Sequence, residues 1–295
     1  MSKASSMLAM WISLASNVFL TAIKICIGVL FNSQVLIADG IHNAGDVIAT
    51  GTAYSSMRVS TKPADKEHPY GHGKAEVLGA FIVAIILGGA AIYMGYHSVH
   101  SLFELPAEAH WIAFAAAVLS LIWKQALYIY SIRLGRQMNS KGLIATAYDH
   151  LADVYASIAA SVGIGLSLIG DFYNISYLAY GDPIAGLIVS LLVLKLGYEM
   201  GKESFDILME KSVSPEQVEQ YAALIRTIPE VKRIDRLRAR EHGHYILVDA
   251  RLGVPGTMTI QEGHDISRMI KKKIQQAHSN VDEVLVHLNP WYEGE

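Results

Sequence analysis

Six stretches, each long enough to cross about 30 Å of hydrocarbon as a helix, follow one another before residue 205 of this chain. They fall at about 8–30, 33–57, 77–103, 110–133, 143–169 and 182–204. With 52% hydrophobic and 17% charged residues, the chain reads as a polytopic membrane protein with a soluble part attached. The first, third, fourth and sixth stretches are frankly apolar, whereas the second and fifth carry acids that a hydropathy window would penalise. A polar spanning helix must be shielded from lipid by its neighbours, so the second and fifth are expected at the centre and the apolar four at the periphery.

Those acids are spaced. VLIADGIHNAGDVIATG holds His42 and Asp46, and TAYDHLADVYASIAASVG holds Asp149 and Asp153. Each pair is i,i+4, so on a helix the two side chains lie one above the other on one face. Facing each other, the two helices would offer one imidazole and three carboxylates to a divalent cation. The other reading is a buried hydrogen-bonded cluster that only holds helices together. Three carboxylates with no intramembrane arginine to neutralise them make that costly, which favours metal or proton binding. Asp39 and Asn43 lie on or beside the same face, in supporting positions. His150 points about 100° away from Asp149 and is left out of the set.

Loop charge gives orientation. Arg58, Lys62, Lys66 and Lys74 lie between the second and third stretches, and Arg133, Arg136 and Lys141 between the fourth and fifth. The alternate loops, around 32–34, 104–110 and 170–182, contain no Lys or Arg. By the positive-inside rule both termini are expected to be cytoplasmic, and the expected location is the plasma (inner) membrane. Net charge is -3, which gives no basic field for nucleic acid. The single cysteine, Cys26, excludes an intrachain disulfide framework and any CxxC metal knuckle. Met1 to Ser6 has one Lys and leads into an apolar run long enough to stay in the bilayer, so no cleaved signal is expected. Gly88, Gly89 and Gly95 allow close backbone approach, either between subunits or within one.

From about Ser212 charge becomes frequent, and the chain divides into 1–211 in the membrane and 212–295 outside it. SPEQVEQYAALIRTI has a Ser214 cap and Pro215 at the first helical position. RIDRLRAR and HYILVDARLGV alternate as strands, TIQEGHDISRMIKKKIQQAH is amphipathic, and VDEVLVHLN is a last strand. Helix-strand-strand-helix-strand makes a small α+β domain. Two further clusters carry ligand types. Asp65, His68 and His72 sit in PADKEHPYGHGKAE, where Pro69 and Gly71 argue for a loop, and five histidines (His242, His244, His264, His278, His287) are spread over the C-terminal part. No HExxH, GxSxG or GxxxxGK[ST] occurs, so neither an intramembrane metalloprotease nor an ATP-driven pump has its chemistry here, and no enzyme is expected.

Taken in order, ADGIHNAGD, PADKEHPYGHGKAE, AYDHLADVYAS, GDPIAGLIVS and the C-terminal HLNP resemble the cation diffusion facilitator family across essentially the whole chain. The resemblance implies a homodimeric, proton-coupled antiporter that exports divalent metal by alternating access, with a ferredoxin-like, metallochaperone-like cytoplasmic domain after six transmembrane helices. It places the transport site on His42, Asp46, Asp149 and Asp153 and a loop site on Asp65, His68 and His72. A C-terminal site falls on Asp235, Asp249, His264 and His287, with aspartates at two positions where histidines would align and Asn289 where an aspartate is common. Lys74 and Glu210 match an ion pair near the membrane junction that couples the two parts. No cofactor is implied beyond the transported or bound metal.

One nitrogen among four donors makes a hard site, which shifts preference toward manganese, with iron, cobalt and cadmium also admitted. The Irving-Williams order pulls the other way, toward zinc, so manganese is favoured only slightly. A membrane-embedded metal sensor or scaffold would keep the same ligands without transporting.

Overall fold

The computed structural model describes residues 3–104, 109–137 and 141–292. Six long helices come first: α1 (Lys3–Leu30), α2 (Gln34–Ser60), α3 (Lys74–Ser101), α4 (Trp111–Gln137), α5 (Lys141–Tyr173) and α6 (Gly181–Leu208). At 1.5 Å per residue even the shortest runs to about 40 Å, enough to span. Among the described residues, five of them, all but α2, also carry a window apolar enough to do so. In α2 the apolar run is interrupted by Asp39, His42 and Asp46. α5 passes, contrary to expectation, on a window of mean hydropathy 1.6, because the Ala, Ile, Val and Leu residues that follow Asp153 carry it. The chain thus has a helical transmembrane part followed by a small α+β domain.

The chain clusters into two compact units, one holding the chain up to Ala53 together with Ile82–Gly201, the other holding Tyr54–Phe81 and the chain from Lys202 onward. In the first, Leu36, Leu87, Ala117, Ala160, Ile164 and Val193 form part of a buried core drawn from α2 to α6. Asp182 at the start of α6 accepts a 2.7 Å hydrogen bond from the Val35 N–H, covering an orphan donor of the first turn of α2, while its own N–H donates to Ser167 of α5 at 2.9 Å. That fixes α2, α5 and α6 against one another at one end. Ile82, Ile85, Ile86, Ile92, Tyr93 and Tyr96 of α3 are exposed, the surface a helix offers to lipid or to a partner. Cβ atoms built on Gly88 and Gly89 would meet nothing within 4 Å, whereas one on Gly95 would meet the Ser190 hydroxyl of α6 at 3.2 Å. Close packing inside the subunit is therefore seen at Gly95, and also at Gly88, whose backbone N a Cβ on Gly197 of α6 would meet at 3.3 Å.

In the second unit, α7 (Pro215–Arg226), β1 (Arg233–Glu241), β2 (Ile246–Pro255), α8 (Ile260–Ala277) and β3 (Val281–Trp291) follow the expected order. Ser214 caps α7 by accepting from the Gln217 N–H, and Thr259 with Glu262 forms a capping box at the start of α8. β1 pairs antiparallel with β2, and β2 pairs parallel with β3, a pairing that needs the crossover α8 supplies. This is the order of a ferredoxin-like domain without its first strand. Tyr221, Ile225, Leu252, Ile270 and Ile274 fill its core.

Candidate metal centre

In the membrane part, His42 Nε2 lies 3.2 Å from Asp153 Oδ1, and His42, Asp46 and Asp153 each present a ligating atom within 4.8 Å of the other two. The i,i+4 register of α2 stacks His42 over Asp46, and Asp153 approaches from α5. Among the described residues Asp153 Oδ1 and His42 Nδ1 are buried without a hydrogen-bond partner. Buried polar atoms are usually satisfied, so these two are open to a further partner. Asp149, one turn from Asp153, is not in this triad. It is exposed, and with Ser13, Asn17, Asp46, His150 and Asp153 it lines a cavity of about 340 Å³.

Three features of this region are not what the sequence led one to expect. His150, excluded because of its angle to Asp149, stands i,i+3 from Asp153, with its Nδ1 3.9 Å from Asp153 Oδ2 and its Nε2 2.9 Å from the Ser13 hydroxyl. Measuring from Asp153 rather than Asp149 would have found it. Nor are the carboxylates without intramembrane cations. Lys124 of α4 places Nζ 2.5 Å from Asp153 Oδ2 and donates to Asn17 Oδ1 at 2.7 Å, and Lys24 of α1 places Nζ 2.7 Å from Asp39 Oδ2, all four charged groups being almost wholly buried. Finally, α1 and α4 are not peripheral, since each turns a polar stripe inward.

The second pair belongs to a layer one turn along α2 from His42. Lys24 donates to the Ser157 hydroxyl at 3.4 Å, Ser157 donates to Asp39 Oδ2 at 3.2 Å, and the Ser120 hydroxyl lies 3.4 Å from that of Ser157. A Cβ on Gly40 would stand 2.8 Å from Ile25 and 3.1 Å from Lys24, so only glycine lets α1 and α2 approach closely enough for this pairing. Asn43, expected in a supporting position, is fully buried, and its amide finds no hydrogen-bond partner among the described residues.

Asp65, His68 and His72 also converge in the loop before α3, with ligating atoms within 4.8 Å of one another. His68 Nδ1 is 3.5 Å from Asp65 Oδ1 and His72 Nε2 is 3.4 Å from Asp65 Oδ2. The His68 and Glu67 N–H groups donate to Asp65 Oδ1 at 2.7 and 2.9 Å. Hydrogen bonding by those two amides, His68 first, holds the Asp65 carboxyl below its ordinary range, so it is ionised and ready for a cation.

The four C-terminal residues do not form a comparable cluster. Asp235 Oδ2 accepts from Asn289 at 2.7 Å, Asn289 Oδ1 lies 3.0 Å from His287 Nε2, and Arg233 Nε is 2.5 Å from Asp235 Oδ1. Asp249 is taken up by Arg240 at 2.7 Å, and His264 lines a separate groove beside Asn289. The expected set is thus split, with its carboxylates engaged by arginines and an asparagine.

Lys74 Nζ contacts Glu210 Oε1, and the other oxygen of Glu210 takes Arg240 Nε at 2.5 Å. Partial burial pushes the Glu210 carboxyl up, and the hydrogen bond from Lys74 with the charges of Lys74 and Arg240 more than reverses this, holding it below its ordinary range.

Residues 10–209 match the family model described as the cation efflux transmembrane domain, and residues 213–291 match that of the cation efflux protein cytoplasmic domain. The chain is 46% identical over 282 residues to the manganese efflux system protein MneP of Bacillus subtilis, covering 96% of this chain and 95% of the relative. It is 32% identical to the manganese efflux system protein MneS of the same organism, covering 95% and 93%. Identity to metal tolerance protein C1 of Arabidopsis thaliana is 30%, covering 95% of this chain and 61% of the relative.

Proposed function

The chain belongs to the cation efflux family, and from that premise we propose that it carries divalent transition-metal ions out of the cytoplasm in exchange for protons, by alternating access. Metal efflux is the business of the family, and a multi-pass membrane protein is its form. The observation that most supports the reading is the convergence of His42, Asp46 and Asp153 on the edge of a cavity among the helices, with Asp153 Oδ1 turned toward His42 Nε2 at 3.2 Å. Asp149, on the wall of that cavity, completes the ligand set by a change of rotamer. Carboxylates and imidazole bind protons as well as metal, so a proton-rich compartment on the far side drives release.

The cavity is lined by Thr146, Leu196 and Met200 toward the α5 N-terminus and α6 C-terminus, whereas the Lys24–Asp39–Ser157 layer closes the opposite direction. That arrangement fits an inward-open site with both termini cytoplasmic in the plasma membrane. We assign residues 1–211 to the bilayer and 212–295 to a domain that pairs two copies, and the Asp65, His68 and His72 cluster to a second, peripheral cation site. One nitrogen with three carboxylates slightly favours manganese over zinc, in keeping with the likeness to the manganese efflux system protein MneP.

Purified protein in vesicles with an imposed pH gradient tests this. Manganese uptake faster than zinc uptake is expected. Zinc-preferred uptake would keep the transporter and overturn the metal assignment. Binding without any uptake would instead make the protein a sensor.

Glu210 serves Lys74 and Arg240 together, so we expect swapping charges at two positions to restore only part of what one reversal removes. Lys74→Glu should slow uptake, and Lys74→Glu with Glu210→Lys should recover less than the whole, because the new lysine faces Arg240. Each exposed pair contributes about 1 kcal/mol or less, so melting temperature should barely move. Complete recovery in the double variant would show that Arg240 plays no part.

A further inference from the structure

Resting on that transport reading, we propose that Lys124 is a specificity-determining residue of the metal site, whose ion pair with Asp153 sets the site's charge so that a divalent ion makes it neutral. Lys124 is fully buried, and it divides Asp153 in two. Oδ2 is committed to Lys124 Nζ at 2.5 Å, while Oδ1 lies beside His42 Nε2 at 3.2 Å with no hydrogen bond among the described residues. The lysine therefore decides which oxygen of Asp153 is left for the ion. Asn17 of α1 holds the ammonium from the other side at 2.7 Å, so its position is fixed by two helices besides its own.

The charges can be followed around the site. Asp46, Asp149 and Asp153 bring three negative charges when ionised, and Lys124 offsets one of them. A divalent ion then completes neutrality, whereas a monovalent ion leaves the site negative and a trivalent ion leaves it positive. Asp39 does not enter the count, because Lys24 balances it one turn away. Low-dielectric surroundings penalise net charge far more than they penalise paired charge, so helices carrying a neutral loaded site can reorient where charged ones would stall. A lysine suits this task better than an arginine, since it delivers a compact point charge to one carboxylate oxygen and leaves the other free.

Lys124→Gln keeps a donor for Asp153 and Asn17 but removes the charge. In vesicles loaded from a side held at about pH 8, where protons compete least with metal, we expect its KM for manganese to fall about tenfold or more and its kcat to fall as well. The extra negative charge holds the ion more tightly and slows its departure. Asn17→Lys with Lys124→Gln returns a cation to the same carboxylate from α1, and both constants should come back to within about threefold of wild type.

A packing role alone would lower kcat, leave KM unchanged in Lys124→Gln and gain nothing from the relocated lysine, and that pattern overturns the proposal. Should Lys124→Gln fail to fold, the double variant decides. Near-wild-type constants support the charge role, and a KM beyond about threefold, or failure of the double variant to fold, overturns it. Wild-type vesicles that move neither manganese nor zinc would sink the transport reading instead, a result distinct from active wild type with an unshifted Lys124→Gln.

Discussion

Asp153→Asn and Asp46→Asn should both cut manganese uptake by about a hundredfold or more, yet only Asp153→Asn should also weaken the fold. Both acids stand in the same triad, but their surroundings differ. Asp153 is 2% exposed and neutralises Lys124, which has no accessible surface at all. Replacing Asp153 by an amide leaves a buried ammonium facing a neutral oxygen, and breaking a buried pair in this way costs about 3–5 kcal/mol. Asp46 is only partly buried and fronts the cavity, where its neighbours include Asp149 and Asp153. On the proposed site, removing its charge takes away a ligand while easing repulsion among the acids that remain. Melting curves of the purified variants in detergent, recorded beside uptake in vesicles, separate the two effects. Equal melting temperatures for Asp153→Asn and wild type would mean that Lys124 does not depend on Asp153.

The second large effect is purely one of stability and falls on a helix whose sequence reads as apolar. Lys24→Met should destabilise the membrane part by about 3–5 kcal/mol, because Asp39 is left fully buried with no cation to answer it. Ser157 still donates to Asp39 at 3.2 Å, but one hydroxyl replaces little of what a charge supplies. Lys24→Met with Asp39→Leu removes both charges, and most of the lost stability should return, since a buried pair exchanged for apolar groups of similar volume is often close to neutral. If the double variant melts no higher than Lys24→Met, the damage lies in packing around Gly40 rather than in an orphaned carboxylate.

The two lysines also mark where the sequence stops being legible. The six spanning helices and the α-β-β-α-β order are written in runs of apolar residues and in local periodicity, and the caps Ser214 and Thr259 announce their helices within four residues. The i,i+4 pairs on α2 and α5 are legible for the same reason, because a single helix's pitch brings their members to one face. Lys24 and Lys124 have no such local partner. Each is a lone cation in an apolar run, and what neutralises it lies on another helix, 15 residues away for Lys24 and 29 for Lys124. Only the three-dimensional packing of α1 against α4, and of both against α2 and α5, supplies that information. Asp149 shows a finer limit. Pitch places it on the cavity wall, but whether its carboxylate reaches the ion depends on a rotamer that spacing does not specify. In the C-terminal part, histidines counted along the chain could not reveal that Arg240 engages Asp249 or that Asn289 bridges Asp235 and His287.

The seat of the loop before α3 has a consequence for how the protein is made. Tyr245 donates to the Tyr70 carbonyl across 175 residues of chain, and a Cβ on Gly73 would overlap the His242 carbonyl oxygen. Gly243 in turn holds φ at 76°, and a side chain there would run into the Gly73 backbone. Both surfaces are bare peptide, and neither can be completed until β1 and β2 have left the ribosome. At ordinary elongation rates that is a delay of about 10–35 s after the loop emerges. Throughout that interval Asp65, His68 and His72 sit on a segment whose final neighbour does not yet exist, so during synthesis the loop cluster proposed to take a cation is still waiting for its scaffold.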